Sequence, residues 1–132
     1  MVRYYKYQNN SNIEGIKNKW FLRVKNGEIL DIDQLAEHLA SHSTAYTEGE
    51  ISGMLKDIVN CIVELVLDGK QVKLANLAIF SLGINCKGAD DAESATIANI
   101  RNIRIKARGT GKLSGAQLKK KVHFREMDQY SV

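Results

Sequence analysis

The stretch from Thr47 to Gly69 constrains this chain more than any other. Thr47-Glu48-Gly49-Glu50 has the pattern of a capping box. The Thr47 hydroxyl is placed to accept from the amide of Glu50, and the Glu50 carboxylate to reach back to Thr47. Ile51, Leu55, Ile58, Ile62 and Leu65 then recur on one face, and Met54, Val59 and Val66 widen it. Asp68-Gly69 ends the helix, because glycine accepts the left-handed conformation a C-terminal cap requires. So broad a stripe must bury against more than one neighbour. Cys61 lies in the same run and is expected in the core. After Gly69 the period falls to two: Val72 and Leu74 alternate with Gln71 and Lys73, as in a half-buried strand.

The remaining elements read around that helix. A first helix is expected from about Asp33 to Ser41, capped by Asp31 or Asp33, with Ile32, Leu35, Ala36, Leu39 and Ala40 as its apolar stripe. Residues 3–8, crowded with Tyr4, Tyr5 and Tyr7, and residues 18–25, with Trp20-Phe21-Leu22-Arg23-Val24, read as strands of a hairpin. Ala75-Asn76 is a turn and Ile79–Leu82 the next strand. Gly83 to Thr96 is polar and reads as an exposed loop or ribbon tip, with Asp90, Asp91 and Glu93 at its centre. In a strand at about Ile100–Arg108, Ile103, Ile105 and Ala107 face one way and Arg104, Lys106 and Arg108 the other. Gly109-Thr110-Gly111 breaks it. Ser114 caps a short last helix, and the tail from His123 is expected to return as a strand. The expected class is α+β.

Charge is segregated along this order. From Asp31 to Gly69 eight acids stand against Lys56 alone, whereas from Arg101 to Val132 nine bases stand against Glu126 and Asp128. The formal net charge of +4 is mild, but a basic segment of this kind is the footprint of a polyanionic partner. Hydrophobic residues make up 44%, enough for a real core, and no apolar run approaches the ~20 residues that cross a bilayer. The start, Met1-Val2-Arg3-Tyr4-Tyr5-Lys6, has no apolar signal core, so a cytoplasmic protein with reduced thiols at Cys61 and Cys86 is expected.

The order helix, helix, strand, strand, ribbon, strand, short helix resembles the HU and integration host factor family of histone-like proteins. The residues that carry the resemblance run from about Asp31 to Leu82. Gly69-Lys70-Gln71-Val72-Lys73-Leu74-Ala75-Asn76-Leu77-Ala78-Ile79-Phe80 is similar to the family pattern G-x-x-V-x-L-x-G-F-G-x-F. Gly69, Val72, Leu74 and Phe80 match, while Asn76, Leu77 and Ala78 replace Gly, Phe and Gly. Asn tolerates the left-handed region and Ala is the next-smallest residue, so the turn survives. The Tyr-rich start, Trp20-Phe21 and Leu118-Lys119-Lys120-Lys121 resemble the divergent HU-related, histone-like proteins of the Bacteroides group. The resemblance implies an intertwined homodimer with a two-helix dimerising base, an antiparallel sheet with a protruding β-ribbon arm, and a short C-terminal helix. It implies residues 1–28 as an N-terminal strand or hairpin extension, 29–124 as the HU-like DNA-binding domain and 125–132 as a tail. The implied setting is the bacterial nucleoid.

Two features depart from the family. Its arms carry a proline near each tip that wedges between base pairs, and this chain contains no proline. The tip, Lys87 to Glu93, carries a net charge of −2, which phosphate repels. DNA contact is therefore expected from the ribbon stem and the C-terminal bases: Arg101, Arg104, Lys106, Arg108, Lys112, Lys119, Lys120 and Lys121. Such phosphate contacts carry little sequence information.

Catalytic patterns are not found. His38 and His42 are spaced like a two-histidine metal face, but Leu39 stands where the zincin pattern needs glutamate. Gly109-Thr110-Gly111-Lys112 lacks the glycine spacing and the Ser/Thr of a phosphate loop. No serine sits in a nucleophile elbow. The expectation is a non-enzyme without cofactor, metal, membrane or small-molecule substrate, whose partners are duplex DNA and a second copy of itself. The competing reading keeps the HU body as a structural or protein-interaction module that has lost DNA binding.

Overall fold

The computed structural model describes residues 1–128 and has an α+β architecture. The chain divides into two compact units: Leu30–Leu118, and a second built from Met1–Ile29 together with the segment from Lys119 onward. Of the expected tail 125–132, residues 129–132 lie outside the described residues.

The larger unit begins with α1 (Ile32–Ala40) and α2 (Glu48–Leu67). The complete capping box is at α1, not α2. Asp31 accepts from the Gln34 amide while the Gln34 side chain accepts from the Asp31 amide, both at 2.9 Å. At α2 the Thr47 hydroxyl accepts from the Glu50 amide at 3.2 Å. The end of α2 is a Schellman motif: Lys70 N–H donates to Leu65 C=O and Gly69 N–H to Val66 C=O, both at 3.0 Å. Gly69 sits at φ +81°, a conformation side chains resist.

A three-stranded antiparallel sheet follows, in the order β3-β4-β5, from β3 (Val72–Leu74), β4 (Ala78–Cys86) and β5 (Ile100–Gly109). Asn76 takes the turn between β3 and β4 at φ +66°, the conformation that makes Asn a substitute for Gly there. The strand expected at Ile79–Leu82 is longer. It runs on through Gly83-Ile84-Asn85-Cys86, because β5 supplies a hydrogen-bonded partner as far as Ile100. β3 reaches only to Phe80, so beyond that point β4 and β5 form a two-stranded ribbon. The link between them, from Lys87 to Asn99, closes on itself. Lys87 N–H donates to Asn99 C=O at 2.8 Å, and Ser94 N–H to the Asp91 carboxylate at 2.7 Å.

The smaller unit is a mixed sheet in the order β2-β1-β6. β1 (Val2–Gln8) and β2 (Trp20–Lys25) form the expected hairpin, in register from Arg3↔Lys25 to Gln8↔Trp20. β6 (Phe124–Glu126) returns as a strand and pairs parallel to β1. An isolated hairpin is marginal in water, and a third strand gives it a sheet with two usable faces. The short helix α3 (Gly115–Lys121) lies where the division between the units falls.

Among the described residues the buried apolar side chains are few: Ala36, Ile51, Val66 and Ala78. Met54, Ile58, Val59, Val63 and Leu67 of α2 stay exposed, as do Leu82, Ile84, Ile103 and Ile105 of the ribbon. Cys61, expected in the core, is also exposed and free, as is Cys86. The broad stripe of α2 therefore has more apolar surface than one copy of the chain covers.

Candidate nucleic-acid interface

Period-two alternation sorts the β3-β4-β5 sheet into two faces. Phe80 pairs with Ala107, Leu82 with Ile105 and Ile84 with Ile103, so these share one face. Val59, Ile62, Val63, Val66 and Leu67 of α2 line an apolar groove of about 450 Å³ with Phe80, Leu82 and Ile105. The helix thus lies against the apolar face, and the other face points away from it.

That second face holds Arg104, Lys106 and Arg108, all exposed. Their cross-strand partners are Gly83, Ser81 and Ile79. Two of the three partners are small, and the Lys106 side chain lies diagonally across Gly83. Any side chain at Gly83 would collide with the Lys106 chain. Successive cations are two residues apart, roughly 6.6 Å along the strand. Among the described residues none of the three forms an ion pair. None of β3, β4 and β5 contains an Asp or Glu.

The other expected site residues fall in three places. Arg101 is the extra residue of a β-bulge, since Asn85 pairs with Asn102 but Cys86 with Ile100. A bulge re-aims the side chain it carries. Lys112 lies in the one-turn 3-10 helix Gly111–Leu113, where its amide donates to Asn76 Oδ1 at 3.2 Å. This ties the segment after β5 to the β3–β4 turn, so Gly109-Thr110-Gly111-Lys112 is a connector. Lys119, Lys120 and Lys121 are exposed on the last turn of α3 and group with the smaller unit. The structure therefore brings together the three ribbon cations, and the lysine triplet belongs to the other unit.

Sequence reasoning missed three residues of the basic face. Lys73 pairs with Ile79, which pairs with Arg108, so Lys73 stands in the same row. Asn85 and Asn102 face each other and extend the polar surface toward the tip. The signal for all three was present: Lys73 alternates with Val72 and Leu74, Asn102 is in phase with Arg104, and Asn85 falls in phase once β4 is carried past Gly83. At the tip, hydrogen bonds from Ser94 hold the Asp91 carboxyl below the usual carboxylate range. The end of the ribbon therefore stays acidic.

Among the described residues no group of three or more His, Cys, Asp or Glu side chains is placed to hold a metal. His38 and His42 meet, Nε2 to Nε2, at 3.3 Å on the exposed end of α1. Among the described residues no helix is long and apolar enough to cross a membrane.

Residues 1–126 match the model of a family described as HU-HIG, an HU domain fused to wHTH, Ig, or a glycine-rich motif. No curated protein sequence matches the chain. Among solved structures, the chain is similar in fold to a Bacteroides vulgatus ATCC 8482 protein whose description reads "Putative bacterial DNA binding protein". The TM-score is 0.66 at 7% identity, over 96% of this chain but 47% of that one. The chain thus spans about half the length of that neighbour, and at this identity the likeness is one of fold.

Proposed function

This chain belongs to the HU-HIG family, and from that premise we propose that it binds double-stranded DNA without sequence specificity, as a homodimeric, nucleoid-associated architectural protein. The observation that carries the reading is the basic face of the β3-β4-β5 sheet. It presents Lys73, Arg104, Lys106 and Arg108 with no carboxylate in any of the three strands. Phosphate is the ligand that such a row of unpaired cations attracts, and phosphate contacts position a protein without reading bases. Arg101 and Lys112 extend the contact, and Lys119, Lys120 and Lys121 add a second cluster. The ribbon is an arm that lies along the duplex. Its apolar face and the uncovered stripe of α2 are closed by a second subunit. Lacking proline and ending in acids, the arm holds DNA by its stem and does not wedge open a base step.

Anisotropy titration of a random duplex tests this. With four phosphates neutralised by each subunit of the dimer, log K is expected to fall with a slope of about −7 against log salt, roughly 10⁴-fold between 50 and 200 mM. The double variant R104E/K106E is expected to lose duplex binding while keeping the dimer. Absence of wild-type binding at 50 mM salt, or binding indifferent to salt, would overturn the proposal in favour of a protein-interaction module.

A further inference from the structure

The two faces of the β2-β1-β6 sheet differ as sharply as those of the ribbon. Register places Val2, Tyr4, Leu22, Val24 and Phe124 on one face. That side also holds the Lys6–Glu126 ion pair at 3.5 Å and an edge-on Tyr4–Phe124 contact. It is an apolar face with its one charge pair internally matched.

The opposite face is built from the odd-numbered residues. Arg3 pairs with Lys25 at one end, Arg23 stands across from Tyr5, and Tyr7 with Phe21 completes the row. Arg23 lies over the Tyr7 ring, 4.4 Å from its centroid, and the Tyr7 and Phe21 rings are 6.0 Å apart with their planes tilted by 32°. Arg125 belongs to the same face and is held by Asp128 at 3.2 Å. The other three cations are exposed and form no ion pair among the described residues. The only acid within the three strands, Glu126, is on the apolar side.

We propose that this face is a second nucleic-acid site, a stacking platform for single-stranded nucleic acid that is separate from the duplex-binding ribbon. The argument is one of chemical complementarity. A single strand offers what a duplex hides, its flat base faces, together with a phosphate at every step. Flat rings on a sheet take the bases, and cations at their margin take the backbone. Tyr5 and Tyr7 are two residues apart, roughly 6.6 Å along one strand, so successive bases of an extended chain meet first the Tyr5 ring and then the guanidinium that lies over Tyr7. The guanidinium over Tyr7 is itself planar and offers its far side to a further base. An acidic peptide would satisfy the cations and leave the rings unused.

The full chain is titrated with a labelled 12-nucleotide oligo-dT, an oligo-U of the same length, a random duplex and a polyglutamate peptide. Single strands are expected to bind with a salt slope of about −2, three phosphates at about −0.7 each. Binding of either oligonucleotide supports the site, and the stronger one identifies DNA or RNA as its source. The variant Y7L/F21L keeps apolar bulk but removes two flat rings, and is expected to weaken single-strand binding roughly tenfold with duplex binding unchanged. R3Q/K25Q alters only exposed side chains and is expected to weaken it without any change in circular dichroism. R104E/K106E is expected to do the reverse, losing the duplex and keeping the single strand, so this site and the ribbon fail independently. Single-strand binding that is lost in R104E/K106E but untouched by R3Q/K25Q would overturn the proposal. So would polyglutamate binding as tightly as oligo-dT, which would assign the face to an acidic protein.

Discussion

Asp33 joins the two long helices through one carboxylate. It accepts from the Ser52 hydroxyl and pairs with Lys56 at 3.3 Å, both on α2. The Ser52 hydrogen bond first, and Lys56 second, hold its pKa below the ordinary 3.8. A carboxyl whose folded pKa is lowered adds stability above its unfolded pKa and loses it as pH falls through the folded one. Asp33→Asn is therefore expected to lower the thermal midpoint slightly at neutral pH. The midpoints of variant and wild type should converge once the pH is well below 3.8, as followed by circular dichroism across an acid series. The effect is small because the pair is exposed and screened. Residues of this kind were only partly legible. The cap of α1 was readable from type and position as Asp31 or Asp33, of which Asp31 serves, and Asn76 was readable as a left-handed turn residue. The partnership of Asp33 with Ser52, nineteen positions away, depends on how two helices meet, and no local pattern encodes that.

The ribbon shows why elements are easier to read than their ends. Alternation of Ile103, Ile105 and Ala107 with Arg104, Lys106 and Arg108 made β5 plain. The polar run after Gly83 hid the second half of β4, because Asn and Gly weaken strand propensity and only pairing with β5 restores it. The same gap concealed Asn85 and Asn102. β6 was expected as a strand, but its parallel pairing with the first strand was not readable. Its three residues carry no directional signal, and the chain ends meet only in the fold. The tip is the part of the ribbon whose chemistry opposes the proposed role. Asp90, Asp91 and Glu93 outweigh Lys87, and Asp91 remains ionised throughout the neutral range. The triple variant D90N/D91N/E93Q is therefore expected to bind duplex several-fold more tightly at 50 mM salt. The gain should shrink as salt rises and the Debye length falls to about 8 Å near 0.15 M. A variant that bound no better would mean that the tip lies beyond the reach of phosphate.

At the scale of the molecule, the shortage of buried apolar side chains is the dominant physical fact. Among the described residues four small or medium side chains form the buried core, while α2 and the ribbon expose a row of aliphatic side chains around an open groove. A contiguous apolar surface of this kind costs free energy in water and is the usual mark of an interface. The sequence already carried the excess as a stripe too wide for one neighbour, although it could not say which residues a single chain leaves bare. Cys61 shows the difference, since its run predicts a core and one subunit leaves it exposed. If a second copy closes this surface, folding and association are one equilibrium, and the thermal midpoint must rise with protein concentration. Sedimentation equilibrium is expected to give a dimer, and scanning calorimetry a midpoint that climbs across a hundredfold range of concentration. Val63→Asp places a charge within the groove, at a position 51% exposed in one chain that a second copy closing this surface would cover. It is expected to give a monomer or an unfolded chain, because burying an unpaired carboxylate costs several kcal/mol. A wild-type monomer whose midpoint ignores concentration would show that the aliphatic row serves another partner. The basic faces of two subunits could then not form one continuous surface for DNA.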